Sequence, residues 1–354
     1  MSFTKLELRP ERRASRATMS DLARVCGLSK MTVSRALAGR SGVSAVTRKK
    51  VRAAAKKLNY ELHSAAQNLN TNRSGFIGIA TPWEGLIGSN YFAEICRGFS
   101  HAMKGTAIDV ALFDTLSESF NDGTKLAKLY RQRKVDGLLV VAPHANDSFL
   151  KTLGSLHVPL VVVGESLPDP STCWVSCDNS EGVKSVCKHL VDLGHKRIAF
   201  VGGPKELTSA ARRRKAFLDF CRQHKLAVPP HYLQMGDYTM LGGRTAALTL
   251  LKSPEPPTAI VAANDLMAFG VIESARELDI KIPNDLSVAG FDDLPTAAER
   301  CPSLTTVHQP VFEMAEQSAR ILLQSLENNE IPSGHVKMKV TLVIRDSTGP
   351  CPVN

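Results

Sequence analysis

From residue 75 to about residue 300, short continuous apolar runs alternate with longer amphipathic stretches. The runs 76–81 (FIGIAT), 108–113 (IDVALF), 137–142 (GLLVVA), 159–164 (PLVVVG), 197–202 (RIAFVG), 259–263 (AIVAA) and 287–291 (SVAGF) read as strands. The stretches 91–104, 179–193 and 265–278 between them read as helices with one apolar face. Strands that are apolar at nearly every position belong to parallel sheets covered by helices on both faces. The series is too long for one small sheet and predicts two α/β lobes. A helix over 311–327 and a strand over 337–344 are expected to complete them.

The first sixty residues carry a different pattern. Thr18 and Asp21 have capping-box spacing, so a helix is expected to start at Met19. Leu22, Ala23 and Cys26 form its apolar stripe, and Gly27 ends it with the φ freedom of a tight turn. Ser29 is placed to cap a second helix over 30–38, with Val33 and Leu37 facing inward. Two short helices about a Gly-containing turn make a helix-turn-helix. Ser44 caps a third helix, whose Val51, Ala54, Ala55 and Leu58 recur at helical spacing while basic side chains crowd its other faces.

Charge divides the chain at the same place. Residues 1–73 hold 16 Lys and Arg against 4 Asp and Glu, so the whole net charge of +10 belongs to them. The other 281 residues hold 28 of the 44 basic residues and 30 of the 34 acidic ones. A basic module on a near-neutral body points to a nucleic-acid anchor joined to a part with a different task.

The run DLARVCGLSKMTVSRALAGRSGVSAVTRKKVRAAAKKLNY resembles the DNA-binding domain of the LacI/GalR family of bacterial transcription regulators. The match falls at Asp21, Ala23, Gly27, Ser29, Thr32, Val33, Ser34, Arg35, Leu37, Val43, Ser44, Thr47, Arg48, Val51, Leu58, Asn59 and Tyr60. Ala38 departs from the family's usual Asn. Further along, AANDLMAFG (262–270), AGFDDLPTA (289–297) and PSLTTVHQP (302–310) are similar to the family's A-N-D-x-M-A-x-G, G-F/Y-D-D and P-x-L-T-T-V-x-Q-P runs. SAARRRKAF resembles R-x-x-G-F, with Arg213 at the Arg and Ala216 replacing Gly. The resemblance covers about residues 17–346.

It implies a small all-α helix-turn-helix DNA-binding domain plus a two-lobed α/β effector domain similar to type I periplasmic binding proteins. The expected boundaries are a basic tail at 1–17, the helix-turn-helix at 18–60, a hinge at 61–74 and the effector domain at 75–349. Its N-lobe is expected at about 75–176 and 307–336, and its C-lobe at about 177–306 and 337–349. The start of a recognition helix enters the major groove, where base edges are distinguishable. Lys30, Met31 and Arg35 are therefore the expected base contacts, and Thr32, Ser34 and Arg48 the expected phosphate contacts. In the resembled family the hinge orders on operator DNA and wedges a Leu into the minor groove, which carries over to Leu69. Leu62 stands where Pro is common.

Ligands of such folds lie in the cleft between lobes, at strand C-terminal ends. Arg213, Asn264 and Asp292 hold the positions that typically contact an effector, with Asn90 and Phe92 after the first strand and Tyr238 as an aromatic face. Asp265 is expected to cap the following helix. The expected partners are a pseudo-palindromic operator in double-stranded DNA, a small carbohydrate or sugar acid, and a second copy in a homodimer or further in a tetramer. No G-x-G-x-x-G, G-x-x-x-x-G-K-[ST] or G-x-S-x-G motif occurs, so no cofactor or enzymatic activity is expected. The eight cysteines form no CxxC pair and the histidines are dispersed, so no metal site is expected. No run approaches a membrane span and the charged start lacks an apolar h-region, which together lead to the expectation of a cytoplasmic protein. The reading from another class is an architectural or partner-regulated DNA-binding protein that takes no metabolite.

Overall fold

A computed structural model describes residues 17–39, 41–60, 73–83, 86–118, 120–143 and 148–352. The contacts divide the chain into two units, Met1–Ser74 and Gly75–Asn354. The expected tail (1–17), apart from residue 17, and most of the hinge, with Leu69, lie outside the described residues.

The first unit is three helices: α1 (Met19–Cys26), α2 (Lys30–Leu37) and α3 (Ala45–Lys57). Each begins at a side chain that satisfies the free amides of a first turn. Thr18 and Asp21 form the reciprocal capping box, with the Thr18 amide donating to the Asp21 carboxylate at 3.0 Å and the Asp21 amide to Thr18 Oγ1 at 3.2 Å. Ser29 and Ser44 accept the amides of Thr32 and Thr47, each at 3.1 Å. Gly27 ends α1 at φ 65°, a left-handed conformation that costs glycine nothing. Leu22, Cys26, Val33, Ala36, Val51 and Ala55 close a small core among the three helices.

The second unit holds two parallel sheets. β1 (Phe76–Thr81), α4 (Asn90–Met103), β2 (Asp109–Asp114), α5 (Thr124–Arg131), β3 (Gly137–Val141), α6 (Ser148–Ser155), β4 (Leu160–Val163) and β5 (Trp174–Cys177) build the first lobe. α7 (Asn179–Asp192), β6 (Ile198–Gly202), α8 (Thr208–Gln223), β7 (Leu233–Met235), α9 (Met240–Leu251), β8 (Ala259–Ala262), α10 (Asp265–Glu277), β9 (Ser287–Ala289) and α11 (Pro295–Glu299) build the second. β10 (Thr306–His308), α12 (Val311–Asn328), β11 (His335–Met338) and β12 (Thr341–Val343) follow.

The N-lobe sheet runs β11-β5-β4-β3-β1-β2 and the C-lobe sheet β7-β6-β8-β9, with every pairing parallel. β3, β4, β6 and β8 are buried at every position, which is why their sequences are continuous apolar runs. α4 lies against α12 so closely that a Cβ on Gly98 would strike the carbonyl of Phe312.

Two expectations about the lobes need correction. The single strand expected over 337–344 is two strands with different partners. β11 pairs with β5 in the N-lobe sheet, and β12 pairs antiparallel with β10. The N-lobe therefore keeps β5 through Cys177 and β11 through Met338, and the expected breaks at 176/177 and 336/337 fall inside strands. Short strands such as β5, β7 and β10 carry too few residues for an apolar period to show.

Candidate functional site

In the first unit, α2 presents its first turn outward. Lys30 and Arg35 are exposed, and Met31, an apolar side chain, is 65% exposed. Met31 therefore takes no part in the core of the three helices. Thr32 is half-buried, and its Oγ1 lies 2.9 Å from Ser29 Oγ, so its hydroxyl belongs to the cap. Ser34 and Arg48 are half-buried, while Lys49, Lys50, Arg52, Lys56 and Lys57 of α3 are exposed. Neither α2 nor α3 has an acidic residue in its first turn, so nothing there opposes an approaching phosphate.

In the second unit, a cavity lies where the C-terminal ends of β1, β3 and β4 face those of β6 and β8 and the turn after β9. Its size is about 100 Å³, against the roughly 10–15 Å³ that a single water needs on the same measure. Arg213, on α8, crosses its floor with its side chain buried. Its Nε donates to Asn179 Oδ1 at 2.7 Å, Nη1 to the Ala263 carbonyl at 2.5 Å and Nη2 to Gln309 Oε1 at 3.1 Å. The Phe291 ring packs 3.6 Å from the guanidinium carbon. Three of the five N–H groups thus fix the fork.

Asp292 stands 3.8 Å from Arg213 Nη1, an ion pair without a hydrogen bond. Burial pushes its carboxyl well above the usual carboxylate range, Arg213 opposes that shift, and Asp265 adds to it. Its φ of 138° is a strained conformation for a residue with a Cβ. Two backbone bonds to the 302–310 run, the crossover between the lobes, hold it there: the Asp292 amide donates to Val307 O at 2.9 Å, and the Gln309 amide donates to Asp292 O at 3.2 Å.

Asn264 caps α10 by accepting the Met267 amide at 2.9 Å and donates to the Tyr238 carbonyl at 3.1 Å. It therefore takes the capping role expected of Asp265. Asp265 is instead fully buried and accepts from Thr306 Oγ1 at 2.5 Å and the Leu294 amide at 2.9 Å. Tyr238 lines the cavity at φ 66°, its hydroxyl pushed up to about 12 by burial against the pull of Arg213.

The structure brings Arg213, Tyr238, Asn264 and Asp292 to one cavity and leaves Asn90 and Phe92 off its lining. Phe92 shares the stripe of Ile95 and Phe99 that packs into the core, and Asn90 is exposed at the helix start. Tyr91, a step of about 100° around the helix from Phe92, lines the cavity instead, and burial raises its hydroxyl pKa. The 92/95/99 spacing was the signal that separates the two faces. Sequence reasoning also missed Glu165, Ser209 and Gln309, of which Gln309 lay in view within the crossover run. The cavity offers hydrogen-bonding groups, one guanidinium (Arg213) and two carboxyl groups (Glu165 and Asp292), with Leu86, Leu207, Leu266 and Leu294 on its apolar walls. Among the described residues, no cluster of three or more His, Cys, Asp or Glu is placed to hold a metal ion. No described helix is long and apolar enough to cross a membrane.

A three-helix DNA-reading unit joined to a pair of α/β lobes around a cavity lined by apolar side chains and a few buried polar groups defines a ligand-responsive, helix-turn-helix transcription regulator. Residues 18–61 match the family model of bacterial regulatory proteins, lacI family, and residues 187–348 match that of the periplasmic binding protein-like domain. The chain is 30% identical over 346 residues to the HTH-type transcriptional repressor CytR of Escherichia coli (strain K12), covering 98% of this chain and 100% of the relative. It is 31% identical over 346 residues to the repressor PurR of Klebsiella pneumoniae (strain 342), covering 95% and 98%. The fold is similar to the Lac repressor dimer bound to operator and the anti-inducer ONPF, with a TM-score of 0.83 and 27% identity over 95% of this chain and 100% of that one. It is also similar to the transcriptional regulator CelR in complex with cellobiose, with a TM-score of 0.71 and 26% identity over 94% and 100%. The chain belongs to the lacI family of bacterial regulatory proteins, whose members here are transcription regulators and not enzymes.

Proposed function

We propose that this regulator is a repressor that binds a pseudo-palindromic operator as a homodimer and is switched by a neutral, polyhydroxylated small molecule of the sugar class. The observation that carries the ligand class is the charge inventory of the cavity. One guanidinium, Arg213, faces two carboxyl groups, Asp292 and Glu165, all three buried. An added carboxylate or phosphate would meet two acidic groups against one base, a costly arrangement in a low-dielectric site. Vicinal hydroxyls suit the guanidinium of Arg213, the carboxylate of Asp292 and the remaining amide N–H of Asn264, and Tyr238 offers a flat apolar face. The Lac repressor and CelR structures, with ONPF and cellobiose in their names, support a sugar over other metabolites.

For DNA, Lys30, Met31 and Arg35 are the residues we assign to bases, and Thr32, Ser34 and Arg48 to phosphates. Exposed Val110 and Leu112, alternating along edge strand β2, support a dimer that covers this face. The site of action is the cytoplasm, where the DNA is. Lobe movement about the β10–β12 crossover changes the geometry of the two DNA-binding units. By linkage, whatever ligand lowers operator affinity binds less tightly to the operator complex, and a 100-fold effect needs only about 2.7 kcal/mol. Calorimetric titration with neutral sugars and their aldonic acids tests the ligand class. Binding of a neutral sugar with rejection of its acid supports it, and preference for the acid or for a nucleoside contradicts it.

A further inference from the structure

Glu165 follows β4 at the C-terminal edge of the N-lobe sheet and is only 4% exposed. Its carboxylate reaches out of its own lobe. Oε2 accepts the Thr208 hydroxyl at 2.5 Å and the Ser209 amide at 2.6 Å, and Oε1 accepts the Ser209 hydroxyl at 2.6 Å. All three donors belong to the first turn of α8, in the C-lobe. That helix has 16 residues, and its own N-cap residue is Leu207, which has no side-chain acceptor. Other helix starts in the described lobes take a side-chain cap from a residue at most two positions before the helix, as at Ser89, Asp122, Asp178, Thr239 and Asn264. At α8 the missing cap is supplied across the cleft.

We propose that Glu165 is an interlobe latch that holds the cleft closed by capping α8 from the opposite lobe. Opening the lobes would strip the helix of its cap and leave the Ser209 amide without this acceptor, so the three hydrogen bonds favour the closed state against the hydration the carboxylate regains on opening. A carboxylate at a helix N-terminus also gains from the helix dipole. The groups facing Glu165 are Arg213, Tyr91, Tyr238 and Asp292. Burial raises its carboxyl pKa, and the three donors and Arg213 oppose that shift. Because Glu165, Ser209 and Arg213 all line the cavity, an entering ligand meets the latch directly. That the latch also sets operator affinity rests on the reading that lobe movement controls DNA binding.

The test is amide hydrogen exchange on the full-length protein without effector, comparing the parent with Glu165→Gln. The latch predicts at least tenfold faster exchange both in peptides covering 204–214, on the C-lobe side, and in peptides covering 86–92, on the N-lobe side, with the sheet segments 198–202 and 259–262 unchanged. Ser209→Ala, which removes one donor from the opposite lobe, is expected to give the same pattern at smaller amplitude and carries the test if Glu165→Gln does not fold. Unchanged exchange, or acceleration confined to the first turn of α8, overturns the latch and leaves an ordinary local cap. Operator affinity of Glu165→Gln is measured in parallel. Faster exchange on both sides with unaltered operator affinity supports the latch and counts against control of DNA binding by the lobes.

Discussion

Arg213 and Asp292 face each other across 3.8 Å, fully buried, with no hydrogen bond between them. Every bond that fixes Arg213 comes from elsewhere, from Asn179, Ala263 and Gln309, while Asp292 is held by the crossover backbone. The pair is thus two side chains fixed independently of each other, side by side on the cavity lining. Asp292→Asn keeps the shape and removes the charge. It is expected to weaken effector binding at least tenfold while operator affinity without effector stays within about twofold. Calorimetry and fluorescence anisotropy measure the two, and a variant that responds like the parent removes Asp292 from the site.

Arg213→Met leaves Asp292 buried without its partner and releases Asn179 and Gln309. Removing one member of a buried pair costs about 3–5 kcal/mol. Urea unfolding of the effector domain should show a loss of that order, and a loss below about 1 kcal/mol would mean that the guanidinium contributes little to holding the cleft.

Lys30→Ala is expected to weaken specific binding by about 1–3 kcal/mol and relax preference at one operator position. Binding-site selection with parent and variant distinguishes this from a uniform loss across all sequences, which would make Lys30 a phosphate contact.

Operator affinity is expected to fall steeply with salt, by about 10³-fold or more between 50 and 200 mM, if the basic side chains of α2 and α3 neutralise six or more phosphates. Anisotropy titrations over that range measure the slope, and a flat response would contradict the charge argument.

Asp265 supplies a pH dependence. Burial raises its carboxyl from 3.8 to about 6. The folded protein therefore keeps a proton that the unfolded chain has released, and this group's contribution to stability falls as pH rises from about 4 to about 6 and is level above. Relative to Asp265→Asn, the parent should lose about 2–3 kcal/mol between pH 4 and pH 7. Urea unfolding of both at each pH checks it, and a difference that does not change with pH refutes it.

Much of this was legible in the sequence, for physical reasons that differ by element. The caps at Thr18, Ser29 and Ser44 are local, so residue identity and spacing were enough. Buried parallel strands such as β3 and β6 announce themselves because both faces must be apolar. Arg213, Asn264 and Asp292 came from motif positions, and they converge on the cavity. The rest depends on pairing between distant segments. Nothing local in HVKM or TLV says that one joins β5 and the other β10. Glu165 sits in an unremarkable turn, and its role exists only because residues 43 and 44 positions away meet it across the cleft. Phe92 was placed by proximity to a strand end, whereas helical phase puts it in the core and Tyr91 in the cleft.

The central claim, sequence-specific DNA binding gated by a ligand in the interlobe cavity, is tested most directly by one titration. Full-length protein is titrated by anisotropy against its selected inverted-repeat duplex and against a scrambled duplex, with and without the neutral sugar that calorimetry shows to bind. The account predicts a preference of at least about 10³-fold for the selected duplex and a change of at least tenfold on adding the sugar, abolished in Asp292→Asn. Equal affinity for both duplexes, or a sugar that binds without altering operator affinity, would contradict it.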